Sequence, residues 1–587
     1  MTQGEWKNRL YYGDNLEVMK GVHLRDEDRI PENEIDLIYL DPPFNSGKNY
    51  NMFFPNSEAQ AEAFEDIWLG KSVDDTLDDI KRHRERFDKL YNLIINLDSW
   101  APNKAIKAYL IAMAARLIEL HRLLKPTGSI YLHCDPTASH YLKILLDAIF
   151  GAENFRNEII WRQTSYNKST KSFGTIHQSI LFYTKTGDYY FKTQFSPYSK
   201  AYVEKSFINE DSRGKFMKHD LTGPGVRRGD SGQSWKGIDP SKVGRHWQPA
   251  SYLYQKYKEL TGDDLSQWPL LERLGKLEKV GLIQWSKGGK GTPQYKFYLK
   301  DAPGVPYQDI WAYQPGTAGC VRGNPEDCID QEVKWLSSTR YPTEKSEGIL
   351  SRIIRTSCPE GGLVFDPFCG CGTTVAVAEN FHRRWIGIDI THLAIQVVEN
   401  RLNEPSKEHH VREVLTPYRV IGMPVDATGA RDLAQRNKHL FENWIVHKLG
   451  GYKPSKSLIG TDKGIDGLIP FSVDGKMEQN VVISVKGSRG GATASEFRDL
   501  AGVLSSNPKK YPIGILITLE PFADRGRFAG KLERVEFTPP SGIARPYARL
   551  QKLTIDEIMN GKRPEYPDWG YRGKKPKDRQ ASLGGEP

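Results

Sequence analysis

Six cysteines in 587 residues are too few, and too irregularly spaced, for a disulfide framework. No apolar run is long enough to span a bilayer, and the first residues lack the charged-then-apolar pattern of a secretory leader. No segment repeats. These absences argue against a stapled secreted module, a membrane span and a repeat array. The expectation is a cytoplasmic protein in a reducing setting, with no membrane role. What remains is ordinary globular material, 38% hydrophobic and 26% charged, with a formal net charge of +9 that favours an anionic partner. The length calls for two to four domains.

Strand-like and helix-like segments alternate in the first part. "IDLIYLD" and "GSIYLHCD" read as strands, and "KAYLIAMAARLIELHRLL" as a helix that "KPTG" should break. Between about 162 and 341 the chain is rich in Gly, Ser, Lys, Arg and aromatics. Alternation returns in "LVFD", "TTVAVAENF" and "WIGIDI". Such alternation predicts an α/β fold, a mostly parallel sheet with helices on both faces and a ligand at the carboxyl ends of its strands.

Two strand ends stand out. "IDLIYLDPPFNSGKNYN" closes an apolar run on Asp41-Pro42-Pro43-Phe44, a stiff corner poor in N–H donors and followed by an aromatic ring. "GLVFDPFCGCGTTVAVAENFHRRWIGIDI" reads as strand, turn, helix, strand. Gly370 and Gly372 permit a tight turn, Thr373 and Thr374 are suited to cap the next helix, and Asp389 ends the next strand, where a carboxylate can accept ribose hydroxyls. The three-glycine pyrophosphate fingerprint is missing. A nucleoside cofactor without a pyrophosphate, such as S-adenosyl-L-methionine, fits better than NAD.

Together the two corners resemble the amino-group DNA methyltransferases, and their order, "DPPF" before "FDPFCGCGTT", that of the permuted beta class. The resemblance implies a Rossmann-like, S-adenosyl-L-methionine-dependent sheet in a methyltransferase domain over 1–425. It extends to "YYGDNLEVM", where Asp14 would contact the cofactor's adenine, and to "RYPTEKSEGILSRII", the helix that would pack over its methionine part. The implied cofactor residues are Asp14, Phe365, Asp366, Pro367, Phe368, Gly370, Gly372, Thr373, Thr374 and Asp389. Cys371 stands where many relatives carry serine.

The chemistry of the first corner follows from its residue types. A base's exocyclic amine has its lone pair delocalised into the ring. Accepting both N–H hydrogens draws the nitrogen towards a tetrahedral shape and stabilises developing positive charge. Asp41 offers a carboxylate, Pro42 a fixed carbonyl, and Phe44 a face for a flipped base. Cytosine-C5 methylation needs a cysteine nucleophile that the motif lacks. In the family, aspartate at the first motif position goes mostly with N6-adenine and serine with N4-cytosine, so the resemblance implies adenine in double-stranded DNA, with N4-cytosine as the alternative. A homodimer or a separate restriction subunit are both open as protein partners.

Residues 162–338 lie where such methylases carry a target-recognition region. "RRGDSGQSWKGIDPSKVGRHWQ" mixes cations and aromatics suited to phosphates and unstacked bases. "LLERLGKLEKVGLIQWSKGGKGTPQYKFYL" reads as a helix and two strands around a basic hairpin, a winged-helix-like pattern. Cys320 and Cys328 have no second ligand pair at zinc spacing.

Residues 430–560 form a further α/β pattern, followed by a basic tail expected to be flexible over 561–587. "GLIPFSV" and "NVVISVKG" read as a hairpin that would bring Asp466 to Lys486, with Glu442 from the preceding helix. Two acids for a divalent metal and a lysine suit phosphodiester hydrolysis. This resembles the PD-(D/E)xK restriction-nuclease superfamily, which implies Mg²⁺ where the site is active and places the domain in restriction-modification or DNA defence. Ser484 departs from the pattern, sitting where a metal-binding carboxylate or glutamine is expected.

Overall fold

The computed structural model describes residues 6–43, 73–102, 104–162, 171–286, 292–311, 344–403, 416–454, 464–471, 479–487, 493–521, 534–538 and 542–567. It divides into two compact units, one of Met1–Lys192, Asp309–Trp311 and Glu332–Pro587, the other of Thr193–Gln308 and Ala312–Gln331.

The first unit is built on a nine-stranded sheet. Its strands are β1 (Asn8–Tyr12), β2 (Ile35–Leu40), β3 (Leu124–Cys134), β4 (Phe155–Arg162), β5 (His177–Thr184), β6 (Ile310–Trp311), β7 (Leu363–Asp366), β8 (Arg384–Asp389) and β9 (Tyr418–Ile421). They lie in the order β6-β4-β5-β3-β2-β7-β8-β1-β9. Every pairing is parallel except those of β5 with β3 and β4, so β5 alone runs against the rest. The carboxyl ends of β2, β7, β8 and β1, four adjacent strands, therefore open on one edge. β2 and β7 are buried along their whole length, as expected of parallel strands covered on both faces.

The helices that matter for that edge are α1 (Asn15–Lys20), α2 (Lys104–Leu123), α3 (Pro136–Phe150), α4 (Glu347–Ser357), α5 (Thr373–Asn380) and α6 (His392–Asn403). "KPTG" does not separate α2 from the next strand. β3 begins at Leu124 directly after the helix, and the irregularity falls inside the strand as a shift of register from Ile35↔Leu124 to Leu37↔Ser129. β4 and β5 belong to this sheet, so the second compact unit begins at Thr193 and not near 162.

The 430–560 segment does not stand apart as a compact unit. Its helices α7 (Ala427–Arg436) and α8 (Lys438–Lys448) lead into a four-stranded sheet, β10 (Gly467–Phe471), β11 (Gln479–Lys486), β12 (Ile513–Thr518) and β13 (Leu550–Thr554), with β10 antiparallel to β11 and the others parallel. Phe441, Trp444 and Ile445 of α8 bury their side chains in the same core as Leu10 and Val398 of the large sheet and its helices. The Tyr12 hydroxyl donates to the Leu440 carbonyl at 3.0 Å. Each such side chain contributes roughly 1.5–3 kcal/mol on burial, enough to fuse two sheets into one body. The second sheet's other face is closed by α9 (Ala494–Ser506) through Leu500 and Leu504. The stretch expected as a tail starts as packed chain: Tyr566 lies against Phe471, and Glu565 exchanges hydrogen bonds with Gln551. Residues 568–587 lie outside the described ones.

The second unit holds an antiparallel sheet of Asn209–Asp211, Gly214–Asp220, Ile283–Trp285 and Pro293–Tyr298, and helices Ser251–Thr261 and Leu270–Lys279. Its own core gathers Phe216, Trp235, Trp247, Leu253, Leu274 and Tyr298. The helix and two strands read from "LLERLGKLEK…" are present, and the "KGGKG" hairpin tip lies outside the described residues.

Candidate active site

The edge formed by β1, β2, β7 and β8 collects four aspartates. Asp14 follows β1 and caps α1: its Oδ1 accepts the Leu16 N–H at 2.7 Å. Behind it, Arg116 of α2 is buried and donates to Asn15 Oδ1 at 2.6 Å, while Asn15 Nδ2 donates to the Pro367 carbonyl at 2.9 Å. This relay ties the first strand's corner to the glycine corner, far away in sequence.

At the end of β7, Asp366 is buried and accepts from the Thr374 hydroxyl at 2.6 Å and the Phe368 N–H at 2.9 Å. Burial pushes its carboxyl up to about 7, with Asp41 and Asp389 adding to the rise. The turn after it needs its glycines. Gly370 and Gly372 have φ of 50° and 76°, and a Cβ on Gly372 would stand 2.7 Å from Val398 Cγ2. Gly372 itself is the N-cap residue of α5. Thr373 and Thr374 therefore do not cap the helix but lie inside it, where Thr374 holds Asp366.

Asp389 closes the far side. Its Oδ2 accepts the Gly370 N–H at 3.0 Å, and its Oδ1 accepts both the N–H and the hydroxyl of Thr391, at 2.7 and 2.8 Å. Its carboxyl is raised by burial, against which these bonds act. Gly13, Asp14, Arg116, Phe368, Asp389 and Ile390 line a small recess. Of the expected cofactor residues, Asp14, Pro367, Phe368 and Asp389 reach this recess. Phe365 is fully buried in the core, and Asp366, Gly370, Gly372, Thr373 and Thr374 shape the loop behind the wall.

Asp41 directly follows β2, the strand paired with β7. Its Oδ2 pairs with Lys345 Nζ at 2.8 Å, with both side chains largely buried, while Oδ1 is buried without a hydrogen-bond partner. Burial raises the Asp41 carboxyl and Lys345 lowers it. Pro42 is buried beside it. Phe44 and the loop from Asn45 to Tyr50 lie outside the described residues, as do Cys320 and Cys328.

Sequence reasoning missed Lys345, Arg401, Arg116 and Thr391. The segment "TEKSEGIL", expected only as a cover for the cofactor, supplies two of the links. Lys345 reaches Asp41, and Glu347 pairs with Arg401 of α6 at 2.6 Å, both fully buried. Arg401 also donates to the Cys371 carbonyl and Thr373 hydroxyl, each at 3.3 Å, and lies 3.4 Å from Glu344. The glycine corner is thus braced by a buried ion pair from two helices. The double-charged spacing Glu344, Lys345, Glu347 was the available signal.

In the C-terminal sheet, β10 pairs Gly467 with Ile483, so Asp466 faces Ser484 and not Lys486. Asp466 Oδ2 accepts the Val485 N–H at 2.6 Å and lies 3.4 Å from Ser484 Oγ. Lys486 continues past that point and pairs with Thr518 of β12. Glu442 does come close: Asp466 adds to the rise that burial imposes on its carboxyl, while Lys438 and His439 flank it at 3.5 and 3.6 Å. Among the described residues no group of three or more His, Cys, Asp or Glu is placed to hold a metal ion, and no helix is long and apolar enough to cross a membrane.

Comparison with known proteins bears on the first site. Over 295 residues the chain is 34% identical to the type II methyltransferase M.EcaI of Enterobacter cloacae, covering 50% of this chain and 57% of that one. Over 375 residues it is 26% identical to the StyLTI Mod subunit, part of a type III restriction-modification enzyme of Salmonella typhimurium, covering 62% and 49%. The chain thus spans about half the length of these relatives. Among solved structures, TTHA0409 of Thermus thermophilus, complexed with S-adenosyl-L-methionine, is 14% identical, with a TM-score of 0.29 over 70% of this chain and 99% of that one. Residues 35–400, which carry both corners, match the model of the N6_N4_Mtase family, described as DNA methylase, and the chain belongs to that family.

Proposed function

We propose that this protein methylates the N6 amine of an adenine flipped out of double-stranded DNA, using S-adenosyl-L-methionine, as the modification arm of a restriction-modification system. The observation that carries the reading is the Asp41-Pro42 corner, with an unpartnered buried acceptor, on the strand next to the acid-lined recess. The residues around the recess suit a nucleoside: Asp14 and Asp389 offer carboxylate acceptors, Phe368 an apolar ring, and Gly13 a wall without a side chain. S-adenosyl-L-methionine bound there supplies a methyl group on a sulfonium sulfur, which keeps the electron pair of the broken S–C bond. Asp41 and the Pro42 carbonyl accept the two N–H groups of the target amine and localise its lone pair on nitrogen for the new N–C bond. One proton leaves that nitrogen to Asp41 Oδ1 and passes on to solvent.

Aspartate at the first motif position supports adenine over the N4 amine of cytosine. The second compact unit, with its cationic loops, is the proposed reader of the DNA sequence. The StyLTI relative is itself a subunit of a larger enzyme, which supports a restriction subunit as partner. In the C-terminal sheet the adjacency of Glu442 and Asp466 supports a nuclease-like site, for which Mg²⁺ would be the metal, with Ser484 opposite Asp466 and Lys486 two residues further along the strand. Magnesium-dependent nicking of plasmid DNA, lost in Asp466→Asn, is the expected sign of that activity. An intact plasmid would leave the sheet a binding role.

The test of the main reading is nucleoside mass spectrometry of duplex DNA incubated with protein and S-adenosyl-L-methionine, without magnesium, beside an Asp41→Ala control. N6-methyladenine made by the wild type alone supports it. N4-methylcytosine would keep the mechanism and overturn the base. No methylated base would overturn the reading.

A further inference from the structure

We infer that Lys345 is a positioning residue for methyl transfer: its ammonium holds Asp41 Oδ2, so that the carboxylate stays ionised and presents Oδ1 alone to the target amine. This rests on the function proposed above and adds a residue to it. The geometry is specific. Lys345 Nζ lies 2.8 Å from Oδ2, with side-chain exposures of 12% and 15%, and Oδ1 is left buried and unpartnered. An acceptor desolvated in this way has one vacant direction, and an incoming N–H is the group that fills it at least cost.

The surroundings show why a cation is needed. Facing Asp41 from the packed elements are Tyr39 of β2, Asp366 of β7, Tyr109 of α2 and Cys134 of β3, none of them positively charged. His133 of β3, near Lys345, is kept neutral by burial and by the lysine itself, and it shares a 2.8 Å hydrogen bond with the Tyr39 hydroxyl. Burial favours a protonated Asp41. A protonated Asp41 gives up acceptor capacity and cannot take the proton that the methylated nitrogen sheds. Among the described residues Lys345 is the cation that opposes this. A purely structural role, in which Lys345 only anchors the chain ahead of α4, predicts something else: lost stability with an unchanged pH profile.

The experiment compares full-length wild type, Lys345→Arg and Lys345→Met by single-turnover methylation of duplex DNA from pH 5 to 9, with cofactor affinity measured by calorimetry. The wild type's activity establishes the underlying reading, and if it makes no methylated base that reading fails before this one is reached. In an active enzyme, Lys345→Met is expected to move the acidic limb of the rate profile up by one pH unit or more, about a tenfold loss per unit at the low end. Lys345→Arg is expected to restore most of it, with cofactor affinity unchanged in both. A Lys345→Met profile superimposable on wild type, or a loss confined to cofactor affinity, overturns the proposal. Should Lys345→Met not fold, the infrared carboxyl stretch of Asp41 decides, taken as wild type minus Asp41→Asn and again in Lys345→Arg. An ionised Asp41 at pH 7 in both supports the proposal, and a protonated one in the wild type overturns it.

Discussion

Gly372→Ala tests how the glycine corner is built. Gly372 sits at φ 76°, where an L-residue costs about 1–2 kcal/mol. The added methyl group would also stand 2.7 Å from Val398 Cγ2 and 3.2 Å from Cγ1. Val398 is fully buried and β-branched, so it cannot rotate aside. Overpacking of this kind costs about 1–3 kcal/mol, which brings the expected loss to roughly 2–5 kcal/mol. The two parts are separable. In Gly372→Ala/Val398→Ala the clash disappears and the backbone cost remains, so a double-mutant cycle by urea denaturation should show a favourable coupling of about 1–3 kcal/mol. Cofactor affinity should fall in the single variant, because the Gly370 N–H that holds Asp389 is carried on the same turn. A loss below about 0.5 kcal/mol in Gly372→Ala, or strict additivity in the cycle, would refute the close-approach argument.

Other perturbations read other parts of the same body. Arg401→Met strands Glu347 in the core and is expected to cost about 3–5 kcal/mol in chemical denaturation, the size typical of a broken buried pair. His392 is buried and pushed down to about 4, with His447 and Lys448 adding to the effect of burial. Its neutral form is favoured by folding, so it contributes stability above about pH 6.5 that is lost as pH falls towards 4, on the order of 3 kcal/mol. His392→Gln should flatten that limb of a pH–stability curve. Glu442 is raised by burial and by Asp466, against the pull of Lys438 and His439, so its ionisation on going above the ordinary carboxylate range costs stability. Glu442→Gln should therefore raise Tm at pH 7.5 and leave it unchanged at pH 4, and an equal effect at both would show that Glu442 is not ionised at a strained site.

Much of the candidate edge is legible because its signals are local. An apolar run ending in Asp-Pro-Pro, and a strand–glycine–helix unit closing on Asp389, are short motifs whose residue types carry their own geometry. The helix over Lys104–Leu123 and the strands around Asp41 and Asp366 follow from periodicity for the same reason. What failed was local inference about partners. Thr373 and Thr374 have the residue type of a cap, but Gly372, at φ 76° in the turn just before them, takes that place. A hairpin places the start of its first strand opposite the end of its second, which would bring Asp466 to Lys486, whereas β11 runs on past β10 and the register puts Ser484 there.

The sequence by itself determined which residues end strands and which turns need glycine, since sterics and burial patterns act over a few neighbours. Only the tertiary structure decided that β2, β7, β8 and β1 lie side by side, bringing Asp14, Asp41, Asp366 and Asp389 to one edge across more than half the chain. The same folding carried Lys345 to Asp41, braced the glycine corner with Arg401 and Glu347, and merged the C-terminal sheet into the methylase core. Those contacts depend on strand order and on which apolar faces meet, and long-range packing of that kind leaves no periodic trace in the residues it joins.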